Sequence, residues 1–391
     1  MAIVVQKFGG TSVATIDKIK HVAEIVARSR SKGDKIIVVV SAMAGVTNKF
    51  VAYARSLNTD EGDPEYDCVV ASGELVTAGL LAIALKNIGV EARSYSSWQV
   101  PIVTDNNYGH AVIRKVDPAN LAANMSSEGV SVVCGFQGIS SENRVTTLGR
   151  GGSDLTAVAI AAAIGADLCE IYSDVDGVYT VDPNFYHNAR KIDEINYHEM
   201  LEMAAQGAKI LQEQSVAYAM KSSVTVRVAS CFVDGSGTLI SGKASSRDFC
   251  GLAITPSLSQ LRVICQRNPE SCSTILEEHH IGTEIVKNSN PNRIDLLVDR
   301  RKAATALNIL KNCHNVESLR QVVAQKHLSR VSVVGSSITA TTVDSIVNLL
   351  NEKKIEILGL TMTDHRIGLT LLRDQLLESV TLLHRYCGLG Q

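Results

Sequence analysis

Short apolar runs alternate with amphipathic stretches along the first 240 residues of the chain. Residues 2–8 form one such run, and Ile16, Ile19, Ala23 and Val26 then recur at helical spacing. The run "KIIVVVSAMAG" that follows is β-branched and continuous, which is typical of a strand buried on both faces of a parallel sheet. The pattern predicts a βαβ unit that opens an α/β sandwich.

The same alternation continues to about residue 230. It predicts a helix over about residues 73–85, a helix at "DLTAVAIAAAIG", a long helix over about 197–220, and strands at "EARSYS", "VSVVCGF", "LCEIYSD" and "VTVRVAS". The polar stretch "NTDEGDPEYD" breaks this periodicity and predicts a mobile surface loop. A hairpin is expected further on, with its turn at residues 141–143.

The Gly- and Ser-rich stretch "DGSGTLISGKASSRD" marks the best domain boundary. Beyond it, two segments of about 65 residues each repeat the order strand, helix, strand, strand, helix. The first begins at "LRVICQ" and the second at "SRVSVVG". We therefore predict three domains, at residues 1–245, 250–325 and 326–391.

Composition narrows the class of ligand. The formal net charge of −2 and the even mixing of charges give no electrostatic case for nucleic acid or for an anionic membrane. The absence of a leader pattern and of an apolar run near the membrane-spanning length of roughly 20 residues predicts a soluble cytoplasmic protein. The nine scattered cysteines predict reduced thiols. The spacing of His279, His280, Cys313 and His314 matches no standard metal-ligand pattern, so no metal site is expected there.

The first candidate for chemistry is the turn "KFGGTS" after the first strand. Lys7 precedes Gly9, Gly10 and Thr11, so a fixed positive charge lies beside a turn whose backbone a phosphate could approach closely. The turn matches neither the P-loop nor the dinucleotide-binding fingerprint. Taken alone, an ordinary Gly-Gly turn is the more common interpretation.

A second glycine-rich turn strengthens the phosphate hypothesis. In "TLGRGGSDLTA", Gly149, Gly151 and Gly152 surround Arg150, and Ser153 and Asp154 open the next apolar helix. Simple N-capping by Ser153 and Asp154 is the structural alternative. A third element, "SDVDGVYTVDP", is an ordinary turn on one interpretation and a nucleoside contact on the other.

These segments together resemble a known family. "VVQKFGGTS", "VVVSAMAGVTN", "SGE", "GFQG", "TTLGRGGSD", "EIYSDVDGVYTVDP" and "GAKIL" occur in the order and spacing of the aspartate kinases, a branch of the amino-acid kinase family. The resemblance implies an amino-acid kinase-like α/β/α sandwich on a mainly parallel sheet. The C-terminal repeat resembles that family's paired ACT domains (α+β, βαββα), although it lacks the Pro-Gly pair that usually enters the first helix of each.

The resemblance implies ATP-dependent phosphorylation of the L-aspartate β-carboxylate to 4-phospho-L-aspartate, with Mg²⁺, as the entry step toward lysine, threonine and methionine. Lys7 would neutralise charge between nucleophile and phosphate, and Asp154 would organise the active-site lysines. Glu74 would bind the substrate ammonium and Arg150 a substrate carboxylate. The neighbouring substrate-binding residues would be Ser41, Thr47, Gly151, Gly152 and Ser153. For Glu74, interaction with the helix dipole is an equally available structural role.

For the nucleotide, the resemblance implies contacts from Lys7, Gly9, Gly10, Thr11, Ser173, Asp174, Tyr179, Asp182 and Lys209. Many members of the family have arginine directly after the "DP" of "YTVDP", where this chain has Asn184. One expected phosphate contact is therefore missing or replaced.

Two other functions remain open from the sequence. One is a kinase for another amino acid, such as glutamate or acetylglutamate, and the other is a catalytically silent sensor of the same fold. We also expect a homodimer or higher oligomer through the ACT-like domains. Lys7, placed at the edge of a loop, is expected to contribute little to stability.

Overall fold

The computed structural model describes residues 1–126, 129–208, 210–233, 235–243, 247–264, 271–279, 281–286, 292–312, 321–336 and 338–390. The chain forms two compact units. The first contains Met1–Val178, Lys191–Ala205 and Lys209–Ser245. The second contains Ser246–Gln391 together with two excursions, Tyr179–Arg190 and Gln206–Ala208.

The first unit is built on an eight-stranded sheet. Its elements in chain order are β1 (Ile3–Phe8), α1 (Ile16–Ser31), β2 (Lys35–Val40), α2 (Val46–Ser56), α3 (Pro64–Val70), α4 (Ser72–Asn87), β3 (Ala92–Tyr95), β4 (Ile102–Thr104), β5 (Ile113–Val116), α5 (Ala119–Ser126), β6 (Val130–Cys134), β7 (Gln137–Ile139), β8 (Val145–Thr147), α6 (Gly152–Ile164), β9 (Leu168–Ser173), β10 (Glu194–Asn196), α7 (Tyr197–Ala205), α8 (Glu213–Ser222), β11 (Val226–Ser230) and β12 (Thr238–Ser241). The strand order is β10-β12-β11-β9-β1-β2-β6-β3. The run from β11 to β3 is parallel, which confirms the predicted mainly parallel sheet.

Strand β1 lies in the middle of this sheet, and helices cover both of its faces. Val4 and Phe8 pack in one apolar core with side chains of α1 and α4. Because successive side chains of a strand point to opposite faces, Val5 and Lys7 point to the other layer, where α6 packs on β1. The chain leaves β1 for β2 on one side and returns to β9 on the other. The carboxyl ends of β1 and β9 therefore form a topological switch point, where ligands of such sheets bind.

A smaller sheet, in the order β5-β4-β7-β8, lies beside the main one in the first unit. It contains the predicted hairpin: β7 and β8 pair antiparallel, and the turn between them includes Asn143 at φ 59°. Asparagine tolerates this left-handed conformation better than most residues do. The hairpin prediction is confirmed.

One predicted loop of the first unit is right only in part, and one predicted helix is wrong. Residues 58–63 form a loop at the surface, as predicted, but a helix begins at Pro64. In the stretch "NTDEGDPEYD", Asp63 caps the helix α3, accepting a hydrogen bond from the backbone N–H of Glu65 at 2.8 Å, and Pro64 starts the helix. The long helix predicted over 197–220 is two helices, α7 and α8. They are separated at Gly207, whose φ of +108° is incompatible with a helix.

The helical stretch Pro64–Asn87, which includes α3 and α4, is long and apolar enough to span a membrane by length and composition alone. The sequence-based expectation of no such run was therefore wrong. Half of its most apolar window is buried within the protein, and the buried residues of α4 include Glu74, Leu81 and Leu85. These features are typical of a core helix.

The second unit carries the predicted repeat. Its elements are β13 (Phe249–Ile264), α9 (Ser271–Glu278), β14 (Glu284–Val286), β15 (Arg293–Asp299), α10 (Ala303–Asn312), β16 (Gln321–Gly335), α11 (Ala340–Glu352), β17 (Gly359–Thr363), β18 (Arg366–Leu372) and α12 (Leu376–Tyr386). Both copies have the predicted element order. All six strands form one sheet in the order β14-β15-β13-β16-β18-β17.

The long strands β13 and β16 serve both copies of the repeat. Leu252 and Ile254, in the first half of β13, pack in the core that contains α11 and α12. Leu261 and Val263, in its second half, pack in the core that contains α9 and α10. The boundary between the two C-terminal domains stays a prediction, since these strands run through both modules.

Candidate active site

Lys7 and Asp154 form a buried ion pair at the switch point of the main sheet. Lys7 lies on β1, on the face covered by α6, and Asp154 lies in the first turn of α6. Lys7 Nζ is 2.5 Å from Asp154 Oδ1, and about a tenth of each side chain is exposed. The sequence predicted that these two residues belong to one site, and in the fold they are in contact. Lys7 is a buried strand residue, so the expectation of an exposed lysine at a loop edge was wrong, and its effect on stability stays a prediction.

The turn after β1 interlocks with the turn after β2. The backbone N–H of Ala44 donates to the carbonyl of Gly10 at 3.2 Å, and that of Ser41 donates to the carbonyl of Phe8 at 3.1 Å. A Cβ at Gly10 would lie 2.8 Å from the carbonyl oxygen of Ala42, so that glycine is required by packing. A Cβ at Gly9 would lie 3.4 Å from Lys7 Nζ. The bare backbone at Gly9 therefore leaves room beside the lysine.

Glu74 lies in the first turn of α4 and is almost fully buried, with 3% of its surface exposed. Its Oε1 accepts a hydrogen bond from the backbone N–H of Ala42 at 2.9 Å. Its Oε2 is buried and has no hydrogen-bond partner among the described residues. Desolvation raises the pKa of Glu74 to about 7, against the opposing hydrogen bond from Ala42. One carboxylate oxygen is thus left for a donor from outside the protein.

The loop before α6 uses its glycines for backbone shape and close packing. Gly149 and Gly151 have φ of +73° and +75°, a region that favours glycine. A Cβ at Gly151 would overlap the side chain of Gln212. Gly151 is the N-cap residue of α6, and the cap makes no side-chain hydrogen bond. The simple capping role considered for Ser153 and Asp154 is therefore wrong.

The remaining predicted substrate residues surround this pair of turns. Arg150 is exposed at the tip of the second glycine loop, and Ser153 is buried against Gly135, where a Cβ would lie 2.7 Å from the Cβ of Ser153. Ser41 follows β2, and Thr47 lies in the first turn of α2, each half-buried. Gly152 packs tightly, since its Cβ would lie 2.9 Å from Leu148 Cβ.

Asp67 borders the candidate site, and the sequence pattern did not single it out. It is fully buried on α3, and its Oδ2 accepts hydrogen bonds from the backbone N–H groups of Gly109 at 2.9 Å and Thr147 at 2.7 Å. Its Oδ1 accepts from Thr147 Oγ1 at 2.8 Å. Burial raises the pKa of Asp67, although these three hydrogen bonds oppose the shift. Asp67 thereby fixes the root of the loop that carries Arg150.

The predicted nucleotide residues divide between the two units. Ser173 ends β9, where its hydroxyl contacts the backbone N–H of Val175 at 3.2 Å, and Asp174 is exposed in the same turn. Thr11 is exposed in the first glycine turn, and its carbonyl accepts from Lys18 Nζ at 2.9 Å.

Tyr179 and Asp182 belong to the second unit. Asp182 accepts from the backbone N–H of Asn184 at 2.9 Å and so stabilises its own turn. Lys209 lies outside the described residues, as do His280, Cys313 and His314. The exposed ring of His279 contacts the carbonyl of Ile275 at 2.9 Å.

Comparisons with known proteins identify the family of the chain. A sequence model of the amino acid kinase family matches residues 2–230. An aspartate kinase of Pseudomonas putida is 38% identical over 98% of this chain and 97% of its own length. An aspartokinase of Pseudomonas aeruginosa is 37% identical over the same shares.

Solved structures give the same result. Aspartokinase III of E. coli in complex with lysine and aspartate matches with a TM-score of 0.80 at 26% identity, covering 98% of this chain and 99% of that one. The same enzyme in complex with aspartate and ADP matches with a TM-score of 0.77 over the same shares. The chain belongs to the amino acid kinase family and is an aspartate kinase within it.

Proposed function

We propose that the chain binds L-aspartate between Glu74 and Arg150 and transfers the γ-phosphoryl group of ATP to its β-carboxylate beside Lys7. The observation that carries the proposal is the arrangement of charges at the switch point. Lys7 is held by Asp154 at 2.5 Å beside the open backbone of Gly9, and Glu74 keeps one buried oxygen without a partner among the described residues.

The chemistry needs electrostatic help more than proton transfer. A β-carboxylate with an ordinary pKa near 4 is ionised at neutral pH, so it requires no general base. The bond from a β-carboxylate oxygen to the γ-phosphorus forms as the bond from that phosphorus to the bridging oxygen breaks. ADP leaves with the electron pair. Two anions must approach each other, and a fixed cation at Lys7 lowers the cost of that approach.

Asp154 would hold Lys7 in place. A buried lysine without a partner would lose part of its charge or swing away, whereas the contact with Asp154 keeps the ammonium aimed beside Gly9. Gly9 fits a phosphate because a Cβ there would fill the space next to Lys7 Nζ. Mg²⁺ bound to the ATP phosphates would supply further positive charge. The described residues contain no group of three or more His, Cys, Asp or Glu side chains that could hold a metal.

Glu74 and Arg150 would determine which acid binds. The ammonium of aspartate would donate to the unpartnered Oε2 of Glu74. Arg150 would bind the α-carboxylate through its two-pronged donor face. For the nucleoside, Ser173 and Asp174 stand at the carboxyl end of β9, at the switch point of the sheet.

ADP release measured with individual amino acids tests this function. We expect release with L-aspartate and Mg-ATP, and none above background with L-glutamate or N-acetyl-L-glutamate. Release with glutamate alone would indicate a kinase for another amino acid. Binding of aspartate or ATP without any ADP release would indicate a silent sensor.

A homo-oligomer through the C-terminal modules and a cytoplasmic location also stay proposals. Edge strand β17 exposes Leu360 and Met362, with 42% and 51% of their surface accessible, as an unpaired strand at an interface would. Sedimentation velocity of the full chain over a range of concentrations should give a dimer or larger species. A monomer at every concentration would contradict the proposal.

A further inference from the structure

Where β16 and β18 pair in the second unit, one face of the sheet carries buried polar side chains. Strands β16 and β18 pair so that Arg330 opposes Thr370, Ser332 opposes Gly368, and Val334 opposes Arg366. Residues that oppose each other in antiparallel strands share a face. The other face carries Val331, Val333, Ile367 and Leu369 into the apolar core. The polar face is almost closed to solvent, since 7% of Arg330 and 9% of Arg366 is exposed.

Arg330 is incompletely satisfied on this face. Its Nη1 forms an ion pair with Glu284 and lies 3.4 Å from Gln206 Oε1. Its Nε and Nη2 are buried and have no hydrogen-bond partner among the described residues. Buried polar groups in folded proteins are nearly always paired, and an unpaired charged donor is costly. Such atoms indicate a missing partner.

The side chain of Arg366 lies close to that of Arg330. A Cβ at Gly368 would overlap Nη1 of Arg366 and would lie 3.6 Å from Cδ of Arg330, so both side chains pass over this glycine. Arg366 Nη1 also donates to Thr361 Oγ1 at 3.1 Å. Desolvation lowers the pKa of Arg330, Glu284 opposes the shift, and the positive charge of Arg366 adds to it. Two buried guanidinium groups therefore lie close enough on this face for their positive charges to interact.

We propose that Arg330 and Arg366 form a binding site for the phosphate group of a small ligand, and that Glu284 occupies this site when the ligand is absent. Charge favours phosphate over carboxylate. A phosphate dianion would bring two negative charges to a place where Arg330 and Arg366 repel each other, and the carboxylate of Glu284 brings one. Guanidinium groups bind such oxyanions through paired N–H donors, and Nε and Nη2 of Arg330 are the donors left for it.

Glu284 can leave the site more easily than the other members. It lies on β14, an edge strand of three residues, and 28% of its side chain is exposed. Arg330 and Arg366 lie on the inner strands β16 and β18. The ligand would therefore take the place of the Glu284 carboxylate, which would turn to solvent. Glu284 and phosphate compete for Arg330 in this arrangement.

Equilibrium dialysis of the full chain against radiolabelled inorganic phosphate, at constant ionic strength, tests this competition. Glu284→Gln removes the competitor and should tighten phosphate binding about tenfold. Arg330→Gln removes the donors and should abolish the same binding event. Arg301→Gln is the matched control, since Arg301 is an exposed arginine of the same unit, paired with Asp299 at 2.6 Å, and should bind as the parent does.

Competition by unlabelled sulfate and acetate identifies the anion class. Sulfate should displace the labelled phosphate from the Glu284→Gln variant, and acetate should not. Equal displacement by acetate would overturn the phosphate assignment. Glu284→Gln binding no tighter than the parent, or a folded Arg330→Gln variant with the parent's affinity, would overturn the site. Should Arg330→Gln fail to fold by circular dichroism, the Glu284→Gln result alone decides.

Discussion

The first turns of α6 and α4 each hold a buried carboxylate, and the two differ in what they contact. Asp154 on α6 faces Lys7 at 2.5 Å. Glu74 on α4 has one backbone hydrogen bond and one oxygen without a partner among the described residues, and its pKa is raised to about 7. The first carboxylate faces a cation of the protein, although its Oδ1 also lacks a hydrogen-bond partner among the described residues, while the second forms no ion pair there. We infer that Asp154 holds Lys7 in place and that Glu74 binds the ammonium group of the substrate.

Removing the ion pair of Lys7 and Asp154 should have the largest effect on activity. Lys7→Met should lower kcat by about 100- to 1000-fold, because a cation beside the transferring phosphoryl group is lost. It should also destabilise the fold, since Asp154 would remain buried without its partner. Steady-state ADP release and urea unfolding measure the two effects.

Stability and catalysis can be separated with a second variant. The double variant Lys7→Met/Asp154→Asn removes both charges, so it should recover stability but not turnover. Lys20→Met is the control, because Lys20 is an exposed lysine whose contact is with Asp17 at 3.4 Å. Full activity in the double variant would contradict a catalytic role for Lys7.

Neutralising the second carboxylate should stabilise the protein. The pKa of Glu74 rises on folding from about 4.5 to about 7, so the native state binds the proton more tightly than the unfolded state does. Stability from this group is present below pH 4.5 and is lost as the pH rises to about 7. Glu74→Gln should therefore raise the free energy of unfolding at pH 8 by up to about 3 kcal/mol. Urea unfolding at pH 5 and pH 8 measures it, and an equal gain at both would contradict the cause.

Aspartate affinity should depend on the ionisation of Glu74. Binding an ammonium requires the ionised carboxylate, so KM for aspartate should rise about tenfold per pH unit as the pH falls below about 7. In Glu74→Gln this dependence should disappear and KM should be high throughout. Initial rates between pH 6 and pH 8.5 measure both curves. A parallel rise in the two proteins would assign the pH dependence to another group.

Asp67 should have a smaller effect, since it acts on the loop and not on the substrate. Asp67→Ala leaves three donors of Gly109 and Thr147 without their acceptor, so the Arg150 loop should loosen and KM for aspartate should rise about fivefold to tenfold, with less change in kcat. Asp67→Asn is the matched variant. Its amide oxygen can replace Oδ2, and its amide group can donate to the Thr147 hydroxyl, so it should behave like the parent. An equal defect in both variants would contradict this positioning role.

The sequence predicted those features of the fold and the site that depend on residues close together along the chain. The βαβ pattern gave the parallel sheet, and two glycine turns after strands placed Lys7 and Asp154 at one edge of it. Strands and helices repeat their apolar positions every two or 3.6 residues, and a glycine turn is a short local motif, so both can be recognised in a single sequence. The start of α3 at Asp63 and Pro64 is also a local signal. The polar composition of that stretch nevertheless led to the prediction of a loop.

Contacts between residues that are far apart along the chain could not be predicted from the sequence. Asp67 bonds to Thr147, 80 residues away, and nothing in the local pattern of α3 specifies that partner. The break at Gly207 was concealed by helical periodicity on both of its sides. The halves of β13 lie in two different cores, and each half taken separately has the pattern of an ordinary strand.

The most direct test replaces L-aspartate with succinate, which keeps the reacting carboxylate and lacks the ammonium. The parent enzyme should prefer aspartate in kcat/KM by about 10- to 100-fold, the loss expected when a buried charged hydrogen bond goes unmade. Glu74→Gln should lose most of that preference, while the Lys7→Met/Asp154→Asn variant should keep it at a much lower rate with both acids. A Glu74→Gln enzyme that still prefers aspartate as strongly as the parent would contradict the assignment of Glu74 to the substrate and the division of roles between the two carboxylates.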